Sequence, residues 1–107
     1  MHIFDLQKSR SFSPDKLKKN NLAETDRFFC DLYCLEPGQE QKPHLHEDSD
    51  KIYIVLEGRG WFRIGSEERE VGRERGVLAP AGVEHGVKNS SSERLVLLVF
   101  MTPKPGL

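Results

Sequence analysis

Three of the four histidines in this chain sit where their spacing suggests shared chemistry. His44 and His46 flank Leu45. On an extended strand, residues i and i+2 project from one face, so two imidazoles spaced this way can converge on one ion. A helix would need i and i+4 instead. Imidazole suits Zn, Fe, Ni and Cu, and His85 supplies a third donor. His85 follows Pro80-Ala81-Gly82, turn residues that deliver the chain into a strand. His2 lies outside both stretches and is expected to be a disordered terminal residue.

The elements that must carry these side chains are short strands. From residue 26 onward, apolar or alternating runs are split by Gly, Pro and Asn, predicting strands near 27–35, 42–46, 51–57, 60–65, 67–71, 76–79, 84–88 and 93–102. Many short strands with close turn signals point to an all-β sandwich or barrel. At 107 residues the chain is one domain. Residues 1–25 are polar with little periodicity and read as an N-terminal arm, laid on the domain or on a partner subunit. Within the arm, Ser13 and Pro14 have the signature of an N-cap and first helical position, and predict a short helical turn. Its cluster of Lys16, Lys18 and Lys19 reads as a solvated face.

Composition excludes several functions. Lys and Arg number 16 against 17 Asp and Glu, a net charge of -1, which argues against a sequence-independent nucleic-acid binder. The longest apolar run, Leu95 to Met101, is far shorter than the ~20 residues of a membrane helix. No signal-peptide pattern follows Met1, so a cytoplasmic location is expected. Cys30 and Cys34 would share a strand face roughly 13 Å apart, too far for a disulfide, and read as small apolar fillers. Two runs, Ile52 to Leu56 and Leu95 to Phe100, are apolar at both parities. A strand with one wet face alternates, so something must cover the outer face, and a second copy in a homodimer is the expected cover.

Together the two histidine stretches resemble the cupin family. Its first motif, G-x5-H-x-H-x(3,4)-E-x6-G, is met by Gly38, His44, His46 and Gly58; its second, G-x5-P-x-G-x2-H-x3-N, by Pro80, Gly82, His85 and Asn89. The resemblance covers roughly residues 26–102. It implies a double-stranded β-helix, or jelly-roll barrel, over 26–107, with His44, His46 and His85 binding a divalent transition metal (Fe, Mn, Ni or Zn). Two positions depart from the pattern. The first Gly of the second motif falls on Glu74, and the motif Glu, which in many members completes the metal site, falls on Lys51.

A protonated Lys cannot ligate a cation. Three outcomes follow. The three His bind metal alone, with Lys51 turned aside towards Glu47, Asp48 or Asp50; one of those carboxylates replaces the Glu; or no metal binds and the His cluster forms a polar pocket with Lys51. Lys51 itself is a candidate base or carbonyl-reactive amine, a salt-bridged anchor of the 47–50 loop, or an anchor for a substrate carboxylate. Counting by twos, Tyr53 and Val55 share its face, and the family pattern turns them inward. That makes Tyr53 the second catalytic candidate. Gly60, Phe62 and Ile64 are expected to face in and Trp61 out, while Asp31 and Tyr33 are left open. The functions implied are a metal-dependent dioxygenase, isomerase or decarboxylase acting on a small polar molecule, or a non-catalytic ligand-binding or sensor module, metal-free if Lys51 prevails.

Overall fold

The computed structural model describes residues 1–105 and is all-β, with nine strands and no helix among those residues. The strands are β1 (Lys18–Glu24), β2 (Phe29–Leu35), β3 (Glu40–His44), β4 (Asp50–Glu57), β5 (Arg59–Ile64), β6 (Glu67–Gly72), β7 (Gly76–Ala79), β8 (His85–Lys88) and β9 (Leu95–Thr102). They form two antiparallel sheets, β1-β2-β9-β4-β7 and β3-β8-β5-β6, in the expected jelly-roll arrangement. Among the described residues no helix is long and apolar enough to cross a membrane.

Period-two alternation decides which side chains meet between the sheets. In β4, Lys51, Tyr53 and Val55 are buried while Ile52 and Ile54 are exposed. In β5, Phe62 is buried and Trp61 is exposed, as the sequence predicts. Leu95, Leu97 and Val99 of β9 join Tyr33 and Leu35 of β2 in the main core. Removing one such side chain to Ala would cost about 2–5 kcal/mol.

The arm departs from expectation. Ser13 Oγ accepts the Asp15 amide at 3.3 Å, yet no helical turn follows. Residues 18–24 instead pair with β2 as a sheet edge, Lys19 opposite Tyr33 and Asn21 opposite Asp31. The segment Lys-Lys-Asn-Asn-Leu-Ala-Glu has low strand propensity, so the pairing comes from tertiary context. His2 is also placed rather than disordered, since its Nε2 lies 2.7 Å from the Leu22 carbonyl.

The arm also covers part of the apolar outer face. Leu6, Phe12 and Leu22 pack with Leu32, Cys34, Val96 and Leu98 in a second cluster outside the five-stranded sheet. Cys30 packs there too; both cysteines are free and burial raises both thiol pKa values, as suits apolar fillers. Ile52, Ile54 and Leu78 remain exposed beyond the arm's reach.

Candidate metal centre

His44 is the last residue of β3 and His85 the first of β8, while His46 lies just past the strand, which ends at His44 and not at the expected residue 46. His44 lies opposite His85 in the ladder, and ring centroids are 4.3 Å apart for that pair, 5.0 Å for His44–His46 and 5.8 Å for His46–His85. One potential ligand atom from each lies within 4.8 Å of the others. Glu47, Asp48 and Asp50 do not join this group, so a substitute carboxylate ligand is not formed among the described residues. Asp50 instead accepts the Ala81 amide at 2.9 Å. The turn after β7 is tied to the first histidine stretch, because the Gly82 amide donates to the His46 carbonyl at 2.8 Å.

The ring nitrogens are sorted by their backbone partners. His44 Nδ1 lies 2.9 Å from the Lys42 carbonyl and His85 Nδ1 lies 3.0 Å from the Val83 carbonyl. A carbonyl oxygen can only accept, so each Nδ1 carries a proton and each Nε2 of the neutral ring presents a lone pair. This outer-shell arrangement is the one that prepares imidazole for a metal. His85 Nε2 is buried with no hydrogen-bond partner, the one such side-chain atom among the described residues. Burial, foremost, pushes the His85 pKa down to about 4 and also lowers those of His44 and His46. All three are therefore neutral donors at pH 7. An orphaned buried lone pair beside two more imidazoles fits a divalent transition ion.

Lys51 faces the same cavity. It is 1% exposed, and its Nζ donates to Gln41 Oε1 at 3.1 Å. The ammonium lies 5.2 Å from the Tyr33 ring centroid and 4.9 Å from that of Tyr53, within cation–π range. Neither the expected turn aside nor a pairing with Glu47, Asp48 or Asp50 occurs, since alternation along β4 forces this parity inward. Desolvation, with the Lys19 charge second, pushes its pKa down to about 7. Tyr53 is fully buried, and its hydroxyl donates to the same Gln41 oxygen at 3.0 Å. Burial raises its pKa, so it is a neutral donor.

Gln41, Lys19 and Tyr33 join the site without being singled out by residue spacing. Counting by twos from His44 turns Gln41 outward. A bulge between Gln41 and His44, where Gln41 pairs Val87 and His44 pairs His85, restores it to the inner face. The close approach depends on Gly86, whose hypothetical Cβ would lie 2.8 Å from the Gln41 carbonyl oxygen and 2.9 Å from Pro43 N. Tyr33 and Asp31 both face inward with β2, and Lys19 follows from β1 pairing. A cavity of about 430 Å³ is lined by Lys19, Phe29, Tyr33, Gln41, His44, His46, Lys51 and Pro105. That is a small-molecule volume.

Of the other motif positions, Asn89 is fully buried and staples β8 to its neighbours, its Nδ2 donating to the carbonyls of Leu35 at 3.1 Å and Glu93 at 2.7 Å. Gly58 has φ 78°, and a Cβ there would collide with the Arg94 carbonyl oxygen. Glu74 occupies the left-handed region at φ 69°, where the motif carries Gly.

Comparison with known proteins agrees with this fold. The family model described as "Cupin domain" matches residues 31–101. An uncharacterized protein of Streptomyces coelicolor is 39% identical over 75 residues, covering 68% of this chain and 69% of that protein. The crystal structure of TT1209 from Thermus thermophilus superposes with a TM-score of 0.96 at 43% identity, covering 98% of this chain and 100% of that one. A predicted oxalate decarboxylase from Thermotoga maritima shares the fold, with a TM-score of 0.78 at 20% identity over 81% of this chain and 80% of that chain.

Proposed function

Because this chain belongs to the cupin family, we propose that it binds one divalent transition metal (Fe, Mn, Ni or Zn) through His44, His46 and His85 and handles a small polar molecule in the barrel mouth. The observation that carries this reading is the buried, unpartnered Nε2 of His85. Leaving a buried acceptor unsatisfied costs roughly 1–3 kcal/mol, which a ligated cation would remove. When bound, the ion would supply a Lewis acid or an oxygen-binding centre. The protein's own part is positional. Lys42 and Val83 carbonyls hold two rings, and Gln41 holds the Lys51 ammonium and the Tyr53 hydroxyl.

Cupins include dioxygenases, isomerases, decarboxylases and non-catalytic binders, and the enzyme form of the proposal is one of the first three. The second reading, a metal-free or sensor-type ligand module, is favoured by one observation, the buried Lys51 at the position of the motif Glu. Metal analysis separates the two. Untagged protein exposed in turn to Fe, Mn, Ni and Zn, then gel-filtered, should retain about one equivalent of its preferred ion. His85→Ala and His44→Ala should lose it. Failure to retain any of the four ions would overturn the metal reading and leave the ligand module.

We also propose that the protein is a cytoplasmic homodimer. The exposed Ile52, Ile54 and Leu78 on neighbouring β4 and β7 support a second copy as their cover. The free cysteines suit a reducing compartment.

A further inference from the structure

We propose that Lys51 and Lys19 form an anchor for the carboxylate of a small ligand whose second oxygen, a hydroxyl or keto group on the adjacent carbon, is presented to the three histidines. The assignment deepens the reading of the barrel mouth as a ligand site and rests on it.

Lys51 is an ammonium with three donors, buried to 1% exposure, and one acceptor, Gln41 Oε1, is in reach. None of the ion pairs within 4.0 Å among the described residues involves Lys51 or Lys19. Both ammoniums stand over the same Tyr33 ring, 5.2 and 5.3 Å from its centroid, and both line the cavity that His44 and His46 also line. A buried cation without a carboxylate partner is costly; it sheds its proton more readily, as Lys51 does, and a bound anion restores and holds the charge.

The ligand's charge follows from the surrounding groups. The acidic group whose charge bears on both lysines is Asp31, whose Oδ1 accepts from Asn21 at 2.9 Å. With Lys51 buried, Lys19 exposed at the rim and one aspartate acting on both, the cavity stays net positive by about one charge, which matches a monocarboxylate better than a phosphate dianion. The cavity also lacks an Arg fork, and its other walls are Phe29, Tyr33 and Pro105, suited to a short carbon skeleton. The same cavity places the anchoring ammoniums beside His44 and His46, so a ligand held by its carboxylate has its neighbouring oxygen directed at the cluster.

The test is an NMR titration of the full chain near pH 6, following lysine side-chain signals and the amides of Tyr33 and Gln41. The probes are pyruvate, lactate, neutral pyruvamide and inorganic phosphate. Each is added to protein stripped of metal, with the chelator removed, and to zinc-loaded protein. Pyruvate and lactate should give saturable shifts in both, with pyruvamide and phosphate at least roughly tenfold weaker. Lys51→Met should weaken carboxylate binding roughly tenfold or more and Lys19→Gln roughly threefold, while the exposed Lys8→Gln leaves it unchanged. Equal binding of pyruvate and pyruvamide, wild-type affinity in Lys51→Met, phosphate binding as tight as carboxylate, or no saturable shift with either carboxylate would each overturn the anchor. The metal-free arm reads the lysines alone, so loss of the metal reading would show in metal retention and not here.

Discussion

Replacing Lys51 by Met should stabilise the protein, and the gain should depend on pH in a way that identifies its cause. Met fills much the same volume as the lysine stem but carries no charge to desolvate. Burial lowers the Lys51 pKa from 10.5 to about 7. Each pH unit between those values is worth about 1.4 kcal/mol, so holding the charged form inside the barrel costs about 5 kcal/mol relative to the unfolded chain. The substitution also forfeits the Gln41 hydrogen bond and two cation–π contacts, together worth about 1–3 kcal/mol, although Gln41 Oε1 keeps the Tyr53 hydroxyl. A net gain of about 2–4 kcal/mol at pH 6 follows, roughly 10 °C or more in Tm for a domain of this size. Between pH 7 and 10.5 the folded state binds fewer protons at Lys51 than the unfolded state. Wild-type stability attributable to this residue therefore rises with pH across that window, and the advantage of Met shrinks as it does. Urea melts of metal-free wild type and variant, run side by side from about pH 6 to pH 10, cancel the titration of all other groups. An advantage that stays constant across the range, or a variant less stable than wild type at pH 6, would refute the argument that Lys51 is buried as an incompletely compensated cation.

Other substitutions probe the remaining supports of the site. Gly86→Ala should displace the β3 bulge, because its Cβ would meet backbone atoms of Gln41 and Pro43 at 2.8 and 2.9 Å. The expected result is a loss of about 1–3 kcal/mol in stability and roughly a tenfold weaker metal affinity, measured by competition with a chelating dye, and unchanged affinity would count against the bulge as the positioning device. Glu74→Gly should raise stability by a few tenths to about 1 kcal/mol, since φ 69° strains a side chain there and Gly relieves it, as thermal melts would show. Light scattering should report a dimer for wild type and a shift towards monomer for Ile54→Asp; a monomeric wild type would sink the second-copy cover.

Much of the site is legible in the sequence because it depends on local rules. The i, i+2 spacing brings the His44 and His46 rings within 5.0 Å although β3 ends at His44, and alternation sends Tyr53 and Phe62 inward and Trp61 outward. Pro80 and Gly82 mark the turn that delivers His85. Gln41 is not legible, because one bulge reverses the parity that counting assigns. Lys19 is exposed, as a solvated cluster predicts, but its place at the rim of the cavity is not legible. It lies in an edge strand whose polar composition carries no strand signal, and β2 recruits it. The apolar runs announce that an outer face needs covering, but residue types cannot say that Leu6, Phe12 and Leu22 of the arm cover the part over β9.

The sequence by itself therefore determined the fold class and the three histidines, since backbone periodicity and turn chemistry act over a few residues. The tertiary structure decided what surrounds them. His44 and His85 are 41 positions apart, yet they lie opposite each other in one ladder. Lys51 is enclosed with Gln41, Tyr33 and Tyr53, with no carboxylate paired to it among the described residues. Such groupings depend on which strands pair and where a bulge falls, and those are set by packing across the whole barrel.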